Sequence, residues 1–250
     1  TADIVKYDFG YEIDPVWEAG NKNIPGIYIE FKEPWLNPKG FEQIVYDVLA
    51  NTQDMNIIEK PEPEDTPFYI NNGTINVGNT NGKVILQTFS LESLVRVAEV
   101  FQGKVPMCFL LWKGTGATDL TYDDPLGYAS FINLGVKYKA HFIGPCIAGA
   151  PNDYPELDQP WQDYLIHRAK MKNHPYTFDT YDQMAKYFGQ YNFGVADGMF
   201  NPPYLDALFT NHSDMSINYM ITHGWRKSPA SQTLVDAREV LRKLGYLDNN

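Results

Sequence analysis

The 250 residues are 44% hydrophobic and 14% aromatic, enough apolar surface for a large core in one or two domains. Acidic side chains outnumber basic ones 31 to 20, and the net charge of -11 leaves no basic face for a nucleic-acid backbone, although one well-placed Lys, a divalent ion or a helix N-terminus can still hold a single phosphate. No run of about 18 apolar residues occurs, so no stretch reads as a membrane span.

The opening TADIVKYDF has neither a starting Met nor the basic, apolar and small-residue regions of a signal peptide, which leaves a processed mature protein or a piece of a longer one as the two expectations. Within residues 1 to 13, DIVKYDF could form a strand. The first clear strand is GIYIEFK, residues 26 to 32. It is followed by a helix on GFEQIVYDVLA, where Phe41, Ile44, Val45, Val48 and Leu49 recur at helical spacing. Residues 51 to 82, rich in Pro, Glu and Asn, read as a loop. Strand KVILQTFS precedes a helix on LESLVRVAEVF, with Ser90 as its N-cap, and then comes strand VPMCFLLW. A Gly/Thr/Asp-rich loop leads to a helix over 125–134 and strand AHFIGPCI. A long loop, a helix over 159–172, strand HPYTF, a helix on DQMAKYF and a second long loop follow. Strand DALFTN at 206–211 and helices on DMSINYMI and ASQTLVDAREVLRKLGYL close the chain.

Six strands alternating with helices predict a parallel sheet built from βα units, whereas a complete βα barrel needs eight. The long loops, 113–122, 148–158 and 190–205, follow the strands' C-terminal ends, the rim that carries chemistry in a barrel. Cys108 and Cys146 sit inside apolar strands and are expected to be buried free thiols. Sequons at Asn72 and Asn211 hint at a secretory route.

GIYIEFKEPW is the most informative segment. Strand alternation puts Glu30 and Lys32 on one face, at the end where the strand meets its loop. A carboxylate and an ammonium buried together need partners. A divalent cation for Glu30 and a phosphate for Lys32 would supply them; a structural ion pair at a strand end is the other reading.

The segment resembles the Glu-x-Lys strand of glycerophosphodiester phosphodiesterases, particularly the periplasmic type with its following Pro-Trp. Four more segments match in order: VILQTF with Gln87; GKVPMCFLLW; HPYTF with His174, Tyr176 and Thr177; and DALFTNHSD with Phe209. The match covers roughly residues 24 to 223. The resemblance implies a TIM-like (β/α)8 barrel, here six of eight units (the third to the eighth), spanning residues 1–223, with 224–250 a C-terminal helical extension. It implies hydrolysis of a glycerophosphodiester to glycerol 3-phosphate and an alcohol, a Ca or Mg ion, and a periplasmic or secretory location. By motif, Glu30 is one metal ligand and Lys32 a catalytic residue contacting the phosphate. Gln87, His174 and Phe209 are substrate-side residues, although His174 also reads as a hydrogen-bonded strand histidine. Phe193, Met199, Phe200 and Tyr204 could wall the substrate.

The chain departs from the pattern at its start. The family's histidine pair and two of its three metal-binding carboxylates precede the Glu-x-Lys strand, and none of the 29 residues before Glu30 is His. A barrel lacking two units leaves open edges, so another chain or segment is expected to complete it. The two functional expectations are part of a metal-dependent phosphodiesterase, and a catalytically inactive barrel remnant serving as a binding or structural subunit.

Overall fold

A computed structural model describes residues 27–32, 36–51, 69–71, 74–76, 84–103, 105–112, 124–187 and 205–223. The chain divides into two compact units, Gly26–Tyr219 and a second made of Thr1–Pro25 with Met220–Asn250. The expected strand on DIVKYDF, the helix over 230–247 and the expected wall residues Phe193, Met199, Phe200 and Tyr204 lie outside the described residues.

The first unit is an α/β fold with one parallel five-stranded sheet. In chain order its elements are β1 (Ile27–Glu30), α1 (Phe41–Asn51), β2 (Tyr69–Asn71), β3 (Thr74–Asn76), β4 (Val84–Thr88), α2 (Leu91–Phe101) and β5 (Met107–Leu111). After them come α3 (Pro125–Lys137), β6 (Phe142–Pro145), α4 (Pro160–Arg168), β7 (Lys172–Asn173), α5 (Tyr181–Tyr187) and α6 (Ser213–Thr222). The sheet order is β1-β4-β5-β6-β7, while β2 and β3 form a short antiparallel pair inside the segment expected to be all loop.

Local chemistry sets the helix starts. Ser90 Oγ accepts from the Ser93 amide at the head of α2, and Asp124 Oδ1 accepts from the Leu126 and Gly127 amides at 2.9 Å ahead of Pro125 in α3. At the start of α4 the Gln159 amide donates to Gln162 Oε1 at 2.7 Å, and Pro160 takes the first helical position. The α4 helix was expected to run to Lys172 but stops at Arg168, because Lys170 turns into the left-handed region (φ 63) and Lys172 enters β7.

Alternation along the strands divides the side chains between two faces. Ile29, Phe31, Val84, Leu86, Phe109, Leu111 and Ile143 pack in the core shared with the helices. Tyr28, Ile85, Phe89, Cys108, Leu110, Phe142 and Tyr176 gather on the opposite face. The central strand β5 is buried throughout, as its unbroken apolar run MCFLL requires. Cys108 and Cys146 are both free and buried.

Two expected strands are irregular. HPYTF forms no regular strand beyond β7, since Pro175 has no amide to donate to a ladder; an isolated bridge between Cys146 and Tyr176 continues the pairing. DALFTN likewise forms none, yet it runs beside that segment: the Asp206 amide donates to Asn173 O, Phe209 N to Pro175 O, and Phe178 N to Phe209 O.

The sheet curls. Between β1 and β7 lie four strand spacings, roughly 19 Å in a flat sheet. Tyr28 on β1 nevertheless reaches His174, just past β7, with Oη and Nδ1 3.1 Å apart, and its ring meets Phe209 edge to face at 4.7 Å. The face carrying Tyr28 is therefore concave. Gly144 permits this close packing on β6: a Cβ there would lie 2.7 Å from Leu110 Cδ2 and 3.1 Å from the His174 carbonyl oxygen.

Candidate functional site

All five strands run parallel, so their C-terminal ends share one rim, where open α/β sheets and barrels place ligands. Glu30 is the last residue of β1 and pairs in register with Gln87 of β4. Strand alternation puts both side chains on the concave face, one inward position beyond the Tyr28–Ile85 pair. Glu30 Oε1 is buried and accepts no hydrogen bond from the described residues. Leaving a carboxylate oxygen in that state costs on the order of 1–3 kcal/mol or more. Lys32, two residues on, is exposed and forms no ion pair with Glu30; its backbone carbonyl accepts from Asn37 Nδ2 at 3.3 Å.

His174 lies deeper. It is buried, stacked on Phe142 with ring centres 4.0 Å apart, and bonded to the Tyr28 hydroxyl. Burial lowers its pKa to about 4, with Lys172 adding to the fall and Asp206 opposing it, so the ring is neutral at pH 7. Phe209 is half-buried against Tyr28. Thus the structure brings Glu30 and Gln87 together at the rim and joins His174 and Phe209 through Tyr28 below them, with Lys32 outside at the strand end.

Two groups escaped the sequence reading. The first is aromatic: Phe89, Trp112, Tyr154 and Tyr176 converge at the C-terminal end of the concave face. Phe89 meets Tyr176 at 5.7 Å, Tyr176 meets Tyr154 at 5.9 Å, and Tyr154 meets Trp112 at 6.5 Å between ring centres, all edge to face. Phe89 and Trp112 were legible as inward positions, being two residues past Gln87 and Leu110; Tyr154 comes from the loop after β6, which no periodicity marks.

The second is an ionic network joining α4 to β7. His167 bridges Asp163 (3.0 Å) and Asp206 (2.8 Å). Asp206 also accepts from Lys172 Nζ at 2.8 Å and the Asn173 amide at 2.9 Å. Asn173 Nδ2 donates to Asp158 at 2.8 Å. Burial alone would lower His167, but its bonds to the two carboxylates outweigh that and raise it to about 9. Burial would raise Asp206; the bonds from His167 and Lys172 win and hold it at about 2. Asp158 goes the other way, well above the usual carboxylate range, because burial and the Asp163 charge both oppose its ionisation. The network ties helix to sheet, with Asn173 on the face opposite the inward His174.

A hard divalent ion takes six or more oxygen ligands. Among the described residues no group of three or more His, Cys, Asp or Glu could hold a metal ion. No family model matches the chain, and no curated protein matches it. The expectation of a Ca or Mg cofactor at Glu30 is therefore corrected, and with it the description of the chain as a metal-binding glycerophosphodiester phosphodiesterase. Glu30 stands at the rim and, among the described residues, lacks the further carboxylates that such an ion requires. Among the described residues, no helix is long and apolar enough to cross a membrane.

Proposed function

We propose that the C-terminal end of the concave face binds a small polar molecule of the glycerophosphodiester class. The observation that carries this is the buried, unpartnered Oε1 of Glu30 beside Gln87. A protein gains nothing in stability from an unsatisfied carboxylate, and such a group persists where a ligand satisfies it. A glycerol hydroxyl can donate to Glu30, the Gln87 amide can donate to and accept from a second hydroxyl, and the Lys32 ammonium can reach a phosphate from the strand end.

The curled sheet is read as an arc of a (β/α)8 barrel. The meeting of Tyr28 with His174 and Phe209 supports this, and so does the path of 206–209 beside β7. In that reading a further segment or chain completes the barrel beyond β1. Hydrolysis of the bound diester to glycerol 3-phosphate and an alcohol is the activity of the completed site, of which these residues form the binding part.

Calorimetric titration of the 250-residue chain with glycerophosphocholine and with glycerol 3-phosphate tests the proposal, with a parallel assay for glycerol 3-phosphate release. Saturable binding of the diester is expected. Absence of heat for both ligands at millimolar concentration would refute it.

A further inference from the structure

We infer that Thr88 is a positioning residue for the rim: its hydroxyl holds the peptide between Phe31 and Lys32 and so sets where Glu30 and Lys32 stand. The inference rests on the proposed function and names what fixes the geometry of that site. Regular pairing of β1 ends at Glu30. Beyond it the Phe31 amide donates to Gln87 O at 2.8 Å, and the Phe31 carbonyl accepts from Thr88 Oγ1 at 3.1 Å. The Phe31 ring is 1% exposed and meets Phe41 of α1 edge to face at 6.0 Å. Both backbone groups and the side chain of this one residue are held, and its two neighbours are the residues read as ligand contacts.

Packing does not call for a hydroxyl at this position. Thr88 follows Val84 and Leu86 on the face that packs against the helices and is buried like both, and valine has the same shape. A buried hydroxyl has to be satisfied, and this one is: its single proton goes to Phe31, and its oxygen accepts from the Ser90 amide at 3.1 Å. Ser90 in turn caps α2. One side chain thus joins the ends of β1 and β4 to the start of the next helix.

Lys32 is exposed, so its direction comes from its backbone more than from packing of its side chain. The bond from Thr88 to the Phe31 carbonyl fixes the plane of the peptide that carries Lys32, and the Lys32 carbonyl accepts from Asn37 Nδ2 at 3.3 Å. Where the chain enters α1, Glu42 is 1% exposed and accepts from Arg96 Nε at 2.9 Å and Ser93 Oγ at 3.4 Å, both on α2. The connection after β1 is therefore anchored at its start by Thr88 and at its end by Glu42. Thr88 is the anchor beside the site.

The test titrates the whole chain with glycerol 3-phosphate and with glycerophosphocholine, the urea midpoint being measured alongside. Thr88→Val and Thr88→Ala, which remove the hydroxyl with and without its bulk, should each weaken both ligands roughly three- to tenfold. Thr88→Ser, which restores the hydroxyl, should bind as the wild type does. Ile132→Val, a core change in α3 away from the rim, should lower the midpoint and leave both affinities unchanged. A double-mutant cycle separates positioning from general loosening: in a Lys32→Ala background the loss from Thr88→Val should shrink to less than about twofold, because the two residues act as one unit. Wild-type affinity in both hydroxyl-free variants, or an equal loss with and without Lys32, would overturn the role of Thr88 and leave the proposed function standing. Failure of the wild-type chain to bind either ligand would overturn the proposed function and this inference with it.

Discussion

Asp206→Asn isolates the ionic network, because Asp206 is its hub. The side chain is 9% exposed and accepts from His167, Lys172 and the Asn173 amide. Its descent from an ordinary 3.8 to about 2 corresponds to roughly 2–3 kcal/mol of native-state stability at 1.36 kcal/mol per pH unit. Lys172 is 34% exposed, so solvent screens its share and the lower end is the better figure. The rise of His167 reflects the same contacts and is not added. Urea unfolding followed by circular dichroism should therefore show a loss of about 2 kcal/mol at pH 6.

The pH dependence follows from the two directions. His167, raised from 6.5 to about 9, contributes stability that is complete below pH 6.5 and lost as pH rises through 9. Asp206, depressed, contributes stability present above pH 3.8 and lost as pH falls through about 2. The wild-type chain should weaken between pH 6.5 and 9.5 more than the variant does, so the gap between them should narrow on the alkaline side. A gap under 0.5 kcal/mol at pH 6, or one of constant size from pH 6 to 9.5, would refute the assignment of Asp206 as the hub; both thresholds are roughly the experimental resolution.

Three further outcomes are expected. Gly144→Ala forces a Cβ against Leu110 and the His174 carbonyl and should destabilise by about 1–3 kcal/mol, read as a lowered urea midpoint; an unchanged midpoint would mean that the concave face is packed more loosely. Tyr28→Phe keeps the ring against Phe209 but strands His174 Nδ1, at a cost of about 1–2 kcal/mol; a neutral result would show that the bond does not hold the curl. Burial pushes the Cys108 and Cys146 thiols up to about 12, so a thiol reagent at pH 8 should label neither in the native chain and both after unfolding, and rapid native labelling would contradict their placement.

Much of this fold was legible because its strands are short apolar runs bounded by capped helices. Ser90 marks the start of α2 and the MCFLL run marks the central strand. The shape of the far edge was hidden, since 174–178 and 206–211 read as strands by composition while Pro175 interrupts the first ladder and the second bonds its neighbour without regular pairing. The helical reading of Lys170 to Lys172 failed because nothing in those residue types announces a left-handed turn. At the site, the inward position of Glu30 beside Gln87 followed from period-two alternation. The exposure of Lys32 did not, because whether a rim residue turns into the sheet or out to solvent depends on the loop beyond it. The Tyr28–His174 bond spans 146 positions of sequence and is visible only once the sheet curls.

The most direct test of the account is calorimetric titration of glycerophosphocholine into the wild-type chain and into Glu30→Gln, with the urea midpoint of each measured alongside. Glu30 Oε1 is buried without a partner, so neutralising it should leave the midpoint unchanged or raise it while weakening the diester by tenfold or more, on the order of 1.4 kcal/mol. Equal affinity of the two proteins, or a variant that loses stability and keeps binding, would mean that Glu30 serves the fold and that the rim beside Gln87 is not the binding site.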